Sequence, residues 1–476
     1  MNLIYLEIAV AALAMVLLLL ELWTPDELKP KLGYAAAAGL ALILGWSFSC
    51  CSSAPAYAFN QMYVMDGLAL FFKRFFLVAA IFVLIMAVEY AKHIRHGIVE
   101  FYVLILLALT GMMFAASAND LIMVFVSLEL ITVTFYILVG YQRERMGSLE
   151  GGIKYLILGA LSSAFLVFGL ALIFGTATTT NFSHLPELVK TTTQPQLLLV
   201  GMVFVMVGLG FKIAAVPFQI WAPDVYQGAP APVTAFLAVG SKAAGFVLIL
   251  RLLFGAVPSI SAKWTTAIII ISAITILYGN LCAIPQRSLK RLLGYSSIAN
   301  AGYLLMGLAV LNAVGTAGIL YYLVGYLFTL AAAFTVISMV SGENDDISSL
   351  AGLSKRSPWL ATCLTLSMVS LGGIPPLAGF FGKFLLLKAI VEKGTTNPGF
   401  YCLAATAVFG VVVSLYYYFG VIRAIYWSKD PAETAPVVVS IPARVSLIVC
   451  VLGMLYLGIY PEAALGVAEK AVSVLF

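Results

Sequence analysis

Four ionisable residues lie deep inside runs of apolar sequence: Glu129, Lys212, Lys242 and Lys383. Glu129 is near the centre of LIMVFVSLELITVTFYILVG, and Lys242 is near the centre of APVTAFLAVGSKAAGFVLIL. A charge in the middle of a membrane helix costs at least about 2.5–3.5 kcal/mol, and such residues usually face a wet interior through which charge moves. These four side chains are therefore our candidates for residues that carry protons or ions.

The chemistry open to these side chains is proton exchange. A lysine has an ordinary pKa near 10.4, so exchange at neutral pH requires the protein to disfavour the ammonium form by roughly 4 kcal/mol. Burial disfavours a charged amine, whereas a carboxylate about 4 Å away favours it by about 4 kcal/mol at an effective dielectric constant of 20. Because the two effects are similar in size, one contact between Glu129 and Lys212 could decide whether the amine keeps its proton. Three lysines against one acid also argue against structural ion pairing alone.

The elements that must position these residues are membrane-spanning helices. The chain has 476 residues, 62% hydrophobic and 10% charged, with a mean hydropathy of +1.06. Soluble domains carry roughly 25% charged residues, so the composition excludes one. We predict an all-α polytopic membrane protein forming one domain over 1–476, with spans of about the 20 residues that a bilayer requires. The fourteen predicted spans are 3–22, 32–49, 64–89, 98–116, 120–141, 150–175, 197–220, 230–253, 264–282, 289–311, 315–341, 358–391, 399–427 and 441–460.

Spans 7 and 12 are interrupted by proline, and each interruption has a lysine close by. Lys212 precedes Pro217 in GFKIAAVPFQIWAP, and Lys383 follows Pro375 and Pro376 in SLGGIPPLAGFFGKF. Proline leaves a helix carbonyl without its partner, and such carbonyls are tolerated in a membrane only where protein or water satisfies them. Two discontinuous helices at corresponding places are typical of a repeated transporter fold.

The separation of the two breaks predicts the repeat. Pro217 and Pro375 are 158 residues apart, which fits a five-helix unit over 98–253 and a second over 264–427. A unit with an odd number of spans must be inverted in its second copy. The alternative is that each proline only kinks a packed helix.

The loop charges predict the orientation of the chain. The loops after spans 1, 3, 5, 9, 11 and 13 contain fourteen Lys and Arg residues, Lys290 and Lys429 among them, against at most five on the opposite side. Basic loops remain in the cytoplasm, so both termini are predicted to be non-cytoplasmic. The first apolar run has no basic stretch before it and is predicted to be a spanning helix rather than a cleaved signal peptide.

Other residue patterns predict no cofactor. The six cysteines show no C-x-x-C spacing, and His93 and His96 have no third ligand nearby, so neither an iron–sulfur nor a zinc or other metal site is expected. No glycine-rich nucleotide motif and no strand is apparent, and we expect no nucleic-acid partner. Lys73 and Arg74, inside span 3, remain open, and Lys388 could either reach the outer surface or extend the path from Lys383.

Three segments together resemble a known family. PFQIWAPDVYQGAPAPVTAFLAVGSKAAGF, RLLGYSSIANAGYLLMG and SLGGIPPLAGFFGKF resemble subunit N of proton-pumping NADH:quinone oxidoreductase, the bacterial respiratory complex I. The resemblance covers essentially the whole chain. It implies proton translocation in the bacterial inner membrane, coupled to electron transfer from NADH to quinone in other subunits. The implied partners are the other subunits of the complex, including paralogous antiporter-like subunits, together with membrane lipid and the quinone.

The resemblance also assigns roles to residues. It implies that Glu129, Lys212, Lys242 and Lys383 translocate protons, with uptake from the cytoplasm near Lys242 and release beyond Lys383. One position departs from the family, which usually has histidine where this chain has Gln219. An amide does not exchange protons near neutral pH, so a relay at this position must use water, or the amide only orients water.

Two other functions remain as alternatives. A sodium/proton antiporter subunit could use the same scaffold, but sodium sites favour carboxylates and carbonyls, and Glu129 is the only acid near the middle of a span. A passive scaffold would instead have lysines that are sealed by pairing and surrounded by no water.

Overall fold

The computed structural model describes residues 2–50, 53–191, 194–257, 262–340, 345–427 and 436–476. Within these ranges the chain is mostly α-helical, and thirteen helices are long and apolar enough to cross a membrane. Predicted span 12 is divided into two shorter helices, Pro358–Gly372 and Ala378–Lys393. The prediction of an all-α polytopic membrane protein with about fourteen spans is confirmed. Lys429, used above to predict orientation, lies outside the described residues.

The helices follow the predicted order. The first three are α1 (Tyr5–Trp23), α2 (Leu32–Cys50) and α3 (Gly67–Tyr90). The next eight are α4 (Ile98–Ala116), α5 (Leu121–Val139), α6 (Met146–Ala177), α7 (Leu185–Thr191), α8 (Pro195–Ile213), α9 (Trp221–Gly228), α10 (Ala231–Phe236) and α11 (Lys242–Leu250). The remainder are α12 (Thr265–Ala283), α13 (Leu289–Ala309), α14 (Ala313–Val340), α15 (Leu353–Arg356), α16 (Pro358–Gly372), α17 (Ala378–Lys393), α18 (Gly399–Trp427), α19 (Ile441–Ile459) and α20 (Pro461–Val472).

Short non-α elements join or interrupt these helices. Single 3₁₀ turns occupy Asn2–Ile4, Lys29–Lys31, Ala91–His93, Ala262–Trp264 and Ile347–Leu350. Strands β1 (Ala56–Ala58) and β2 (Tyr63–Met65) form an antiparallel hairpin in which Tyr57 is paired with Val64. The expectation that the chain has no strand is wrong here, because two three-residue strands are too short to give a readable alternation of polar and apolar residues.

Side-chain caps fix where the site-bearing helices begin. Asp120 precedes α5 and accepts the amide of Ile122 at 2.8 Å, and Ser288 precedes α13 and accepts the amide of Arg291 at 3.1 Å. Such caps satisfy amides that the first helical turn leaves without partners. They set the register of α5, which carries Glu129, and of α13, which lies at the centre of the site.

The two helix breaks have the same backbone geometry at positions 159 residues apart. Ala214 (φ 57°) and Gly373 (φ 76°) lie in the left-handed region, and Pro217 and Pro376 each follow a cis peptide bond. After each left-handed residue, the next amide bonds to the carbonyl five residues earlier, as at many helix ends. The counterpart of Pro217 is therefore Pro376 rather than Pro375. The likeness supports the units 98–253 and 264–427, which remain a prediction.

The helix that carries Lys242 is irregular and buried. π-helical turns at Leu237–Ser241 and Arg251–Ala256 flank α11, so Lys242 directly follows the first of them. π-turns inside helices are rare and occur frequently at functional sites. The 18-residue apolar window of this helix is entirely buried within the chain, which places Lys242 inside the protein rather than against lipid.

Glycines let α12 and α13 pack backbone to backbone. A methyl group at Gly279 would lie 2.4 Å from the amide nitrogen of Ala299, and one at Gly302 would lie 2.8 Å from that of Ile276. Small residues permit this close approach between membrane helices. The contact holds α13 firmly in the interior, where it can serve as a fixed support for polar groups.

Candidate functional site

Lys212, in the last turn of α8, reaches across to α5. Its side chain is 4% exposed, and Nζ donates a hydrogen bond to Thr132 Oγ1 at 3.1 Å. Thr132 in turn donates to the carbonyl of Leu128 at 2.5 Å. Its hydroxyl thus accepts from Lys212 of α8 and donates within α5. The amine also lies 6.0 Å from the ring centroid of Phe135. A neutral hydroxyl, rather than an acid, holds this amine.

Glu129 lies one turn before Thr132 on α5. It is half-buried and accepts a hydrogen bond from Ser163 of α6. No ion pair within 4.0 Å joins Glu129 to Lys212, although both residues are described. Three residues of helix rise about 4.5 Å, so Lys212 must move by about that distance to exchange Thr132 for Glu129. The structure therefore holds the acid and the amine near each other but apart.

Lys242 binds α13. Its side chain is 2% exposed, and Nζ donates to both the carbonyl oxygen and Oγ of Ser297, each at 2.5 Å. Ser297 Oγ also lies 3.0 Å from the hydroxyl of Tyr226 on α9. The stem of Lys212 packs against α11 one turn after Lys242, where a methyl group at Gly245 would be 3.4 Å from Cγ of Lys212.

Lys383 lies at the second helix break and binds one of its free carbonyls. The side chain is 7% exposed, and Nζ donates at 2.6 Å to the carbonyl of Leu371, one of the carbonyls that proline leaves without a helical partner. The amine also lies 4.9 Å from the ring centroid of Tyr303. Gly373 makes room for it, since a Cβ there would lie 3.2 Å from Cδ of Lys383, at a φ of 76° that already favours glycine.

A polar stripe on α13 connects the contacts of Lys242 and Lys383. It consists of Ser297, Asn300 and Tyr303, of which Asn300 accepts from Tyr322 of α14. Asn280 of α12 joins the stripe by donating to Tyr303 Oη at 3.3 Å. Ser297 and Tyr303 are six residues apart, a rise of about 9 Å along the helix. The two amines thus contact the same helix less than two turns apart.

The three buried lysines share one electrostatic feature. Among the described residues, none of them has a carboxylate oxygen within 4.0 Å, and each is bound instead by neutral oxygen. Burying an ammonium without a paired charge costs several kcal/mol. Each of these lysines can therefore lose its proton and become neutral, which is what proton transfer requires.

A charged cluster surrounds Asp224 in the first turn of α9. Asp224 receives Lys154 of α6 at 2.7 Å and an ion pair from Arg291 of α13, and it links α6, α9 and α13. Asp224 lies 159 residues before Lys383, which is the same separation as between Ala214 and Gly373. It therefore occupies, at the first break, the position that Lys383 occupies at the second. Both breaks thus carry an ionisable residue at this position, an acid in the first and an amine in the second.

The comparisons with known proteins give the family. Residues 118–415 match the family described as "NADH:quinone oxidoreductase/Mrp antiporter, TM". NADH-quinone oxidoreductase subunit N of Heliobacterium modesticaldum is 43% identical over 93% of this chain and 92% of its own length. Subunit N of Moorella thermoacetica is 39% identical over 100% of this chain and 99% of its own length. The chain belongs to the NADH-quinone oxidoreductase subunit N family.

A solved structure supports the same conclusion for the fold. A chain in respiratory complex I from Thermus thermophilus is 33% identical, covers 97% of this chain and 98% of its own length, and superposes with a TM-score of 0.81. The resemblance to subunit N seen in the sequence is confirmed. The family description also includes Mrp antiporters, but the curated relatives above are named as subunit N.

Gln219, where the subunit N family usually has histidine, is buried. Its side chain is 5% exposed, and Oε1 has no hydrogen-bond partner among the described residues. A buried amide oxygen without a protein partner is a natural acceptor for water. The two expectations for this position, a relay through water or an amide that only orients water, stay predictions.

Two cations that the sequence left open form structural contacts. Lys73 pairs with Glu7 at 2.8 Å, both almost fully buried, and Tyr63 donates to the same carboxylate at 2.9 Å. Arg74 points another way and donates to the carbonyl of Ser47 at 2.7 Å. Each cation is thus held by groups near the N-terminal end of the chain, outside the polar stripe on α13.

Lys388 is exposed on the surface of the chain. Its side chain is 56% exposed, and its amine lies 3.8 Å from Glu392, one turn later on α17. This position favours the outer surface of the chain, one of the two possibilities that the sequence left open.

Sequence reasoning missed the groups that bind the amines. Thr132, Ser297, Asn300 and Tyr303 were not predicted as part of the site, and Lys290 was counted only as a loop charge. One signal was available in the sequence, because α13 is the least hydropathic of the candidate spans, and the structure buries nearly all of it. A polar helix that is buried in a membrane protein must face polar partners or water.

Proposed function

We propose that this chain is the proton-translocating membrane subunit of an NADH:quinone oxidoreductase, coupling electron transfer in other subunits to proton transport. The observation that carries the proposal is that Lys212, Lys242 and Lys383 are buried and bound by neutral oxygen, with no carboxylate within 4.0 Å among the described residues. Structural ion pairs would show the opposite pattern. Amines in this arrangement can gain and lose protons.

Glu129 and Lys212 act as the switch. At an effective dielectric constant of 20, the attraction between the two charges is about 4 kcal/mol at 4 Å and about 2 kcal/mol at 8 Å. Moving Lys212 from Thr132 to Glu129 therefore changes its energy by about 2 kcal/mol. Moving one charge against 100 mV costs about 2.3 kcal/mol, so this contact is large enough to matter for pumping. A conformational change driven by redox chemistry elsewhere would shift the contact.

The switch reaches the proton path through Lys242. The stem of Lys212 lies against Gly245, one helical turn from Lys242, so the two ammonium groups repel each other when both are charged. Withdrawing Lys212 toward Glu129 lets Lys242 take up a proton from the cytoplasmic side. Returning Lys212 to Thr132 then favours loss of that proton.

Lys383 receives the proton and releases it outward. The proton crosses the polar stripe from Ser297 to Tyr303, a distance of about 9 Å along α13 that requires intervening water. The amine of Lys383 takes the proton at the second break and gives it to water on the far side. Glu129, Lys212, Lys242 and Lys383 are thus our site residues.

The same proposal covers the surroundings of the chain. We place it in the bacterial inner membrane with both termini non-cytoplasmic, in contact with lipid and with other membrane subunits, including paralogous ones. NADH and the quinone react in other subunits, and we assign no redox centre, nucleotide or metal to this chain.

The test uses the whole complex in inverted membrane vesicles. We expect Lys242→Met and Glu129→Gln to lower NADH-driven proton uptake by about tenfold or more, because each removes a group that the transfer requires. Quantification of the assembled complex shows that the subunit is present. Normal proton transport by both variants would refute the assignment.

The antiporter alternative is separated by sodium. A sodium/proton exchanger requires sodium and moves protons in response to a sodium gradient in the absence of NADH. We expect NADH-driven uptake to be unchanged when sodium is replaced by choline. Loss of uptake under that condition would favour the antiporter.

A further inference from the structure

Lys290, the second residue of α13, is a buried amine outside the four site residues. It is 3% exposed, and Nζ donates at 2.9 Å to the carbonyl of Ala229, which follows α9. No carboxylate oxygen lies within 4.0 Å of this amine in the described parts of the chain. Its neighbour Arg291 takes the nearby carboxylate of Asp224.

The contrast with the surrounding cations is informative. Lys154 and Arg291 share Asp224, and their side chains are 41% and 31% exposed, so the acid pairs with the cations that water already stabilises. Lys290 is the buried member of the cluster and has only a carbonyl. It also lies at the N-terminal, positive end of α13, where a cation is unfavourable. Two further charged groups act on Lys290: Arg145 repels an ammonium at this position, and Asp345 attracts it.

Lys290 and Lys242 both contact the pair of helices α9 and α13, Lys290 directly and Lys242 through Ser297. Lys290 lies on α13 and bonds to the residue after α9, while Lys242 bonds to Ser297 of α13, which also contacts Tyr226 of α9. Lys290 and Ser297 are seven residues apart, a rise of about 10 Å. The seam between α9 and α13 therefore runs from the side of the protein on which the basic loops are predicted to lie to Lys242.

We propose that Lys290 is a further proton-carrying residue, which takes protons from cytoplasmic water and supplies Lys242. This inference rests on the proposed function. In each transfer the ammonium of Lys290 gives one proton through water along the seam to the neutral amine of Lys242. Lys290 becomes neutral, Lys242 becomes charged, and a hydronium ion from the cytoplasm then restores Lys290. No electrons move in this step.

The deciding variant is Lys290→Arg. A guanidinium can keep both the charge and the hydrogen bond to Ala229, but it does not release its proton. If Lys290 only fastens the turn after α9, the variant pumps normally. If Lys290 carries protons, NADH-driven proton uptake in vesicles falls by about tenfold or more while the assembled complex remains.

Two further variants interpret the result. Lys154→Arg is the matched control on the same cluster, since its partly exposed amine is paired with Asp224 and is expected to leave pumping unchanged. Lys242→Met tests the proposed function itself. Normal pumping by Lys290→Arg alongside loss in Lys242→Met overturns the role of Lys290 only, whereas normal pumping by both Lys242→Met and Glu129→Gln overturns the proposed function.

If Lys290→Arg lowers the amount of assembled complex, Lys290→Gln supplies the second measurement. The amide is small enough for the site and keeps a donor for Ala229, but it does not carry a proton at neutral pH. Uptake per assembled complex is again expected to fall by about tenfold. Wild-type uptake per complex in this variant would overturn the inference.

Discussion

Replacing Thr132 by valine removes the hydroxyl that holds Lys212 away from Glu129. Valine has nearly the same shape, so the packing of α5 is kept while the acceptor at 3.1 Å is lost. A buried charged donor left without a partner costs about 1–3 kcal/mol or more. Glu129 lies one helical turn before Thr132 on α5, so we expect the amine to move to its carboxylate.

The size of the effect follows from the distances. One helical turn beyond a contact of about 4 Å gives a separation of about 8 Å, and closing it gains about 2 kcal/mol at an effective dielectric constant of 20. Since about 1.4 kcal/mol is a factor of ten, the position of the switch shifts by roughly 30-fold toward the paired state. A switch held in one state cannot cycle, so proton uptake is expected to fall by a similar factor.

The assay compares NADH-driven proton uptake per assembled complex in vesicles. Thr134→Val is the matched control, because Thr134 lies on the same helix and its hydroxyl only bonds back to the carbonyl of Leu130 at 2.5 Å. We expect this control to pump like the wild type. A high-resolution map of the Thr132→Val complex should place Lys212 Nζ within 4 Å of the Glu129 carboxylate.

The reasoning would be refuted by two results. Wild-type pumping in Thr132→Val would show that the hydroxyl does not hold the switch. Equal loss in Thr132→Val and Thr134→Val would show that the effect comes from helix packing and not from Lys212.

Three further outcomes follow from the geometry. Glu7→Gln leaves Lys73 buried without its anion and should destabilise the complex by about 3–5 kcal/mol, seen as a lower melting temperature; an unchanged melting temperature would contradict the buried pair. Gly373→Ala forces a left-handed residue and crowds Lys383, costing about 1–2 kcal/mol and lowering proton uptake, whereas full uptake would show that this contact is unimportant. Lys388→Ala should pump normally because the side chain is exposed, and a loss would return it to the path.

The sequence predicted the fold and the buried lysines because both have signals that are local in the chain. Long apolar runs define the spans, and a lysine within such a run stands out by its cost in a membrane. Lys212, Lys242 and Lys383 were found in this way, and all three are buried. Their location inside apolar spans can be recognised from the residues around them in the sequence.

The partners of those lysines could not be predicted, since each comes from a distant part of the chain. Thr132 is 80 residues from Lys212, and Ser297 is 55 residues from Lys242. Short hydroxyl side chains are common in membrane helices, where they often bond to their own backbone, so their types reveal little. Only the packing of α5, α11 and α13 brings them to the amines.

Lys290 shows how a useful rule can hide a site. Its position at the start of α13 made it one of the basic residues that predicted orientation, and such residues usually extend to the water at the membrane surface. The structure instead turns the side chain inward, where it is 3% exposed. Sequence position alone does not distinguish an amine at the surface from one that points into the interior.

The central claim is that the buried amines give up and regain protons, rather than serve as fixed positive charges. Lys242→Arg tests it most directly, because arginine keeps the charge and a donor for Ser297 but does not release its proton. The measurement is the number of protons translocated per NADH oxidised by the assembled complex in vesicles. We expect a lower ratio than in the wild type, whereas an unchanged ratio would show that a fixed positive charge at this position is sufficient.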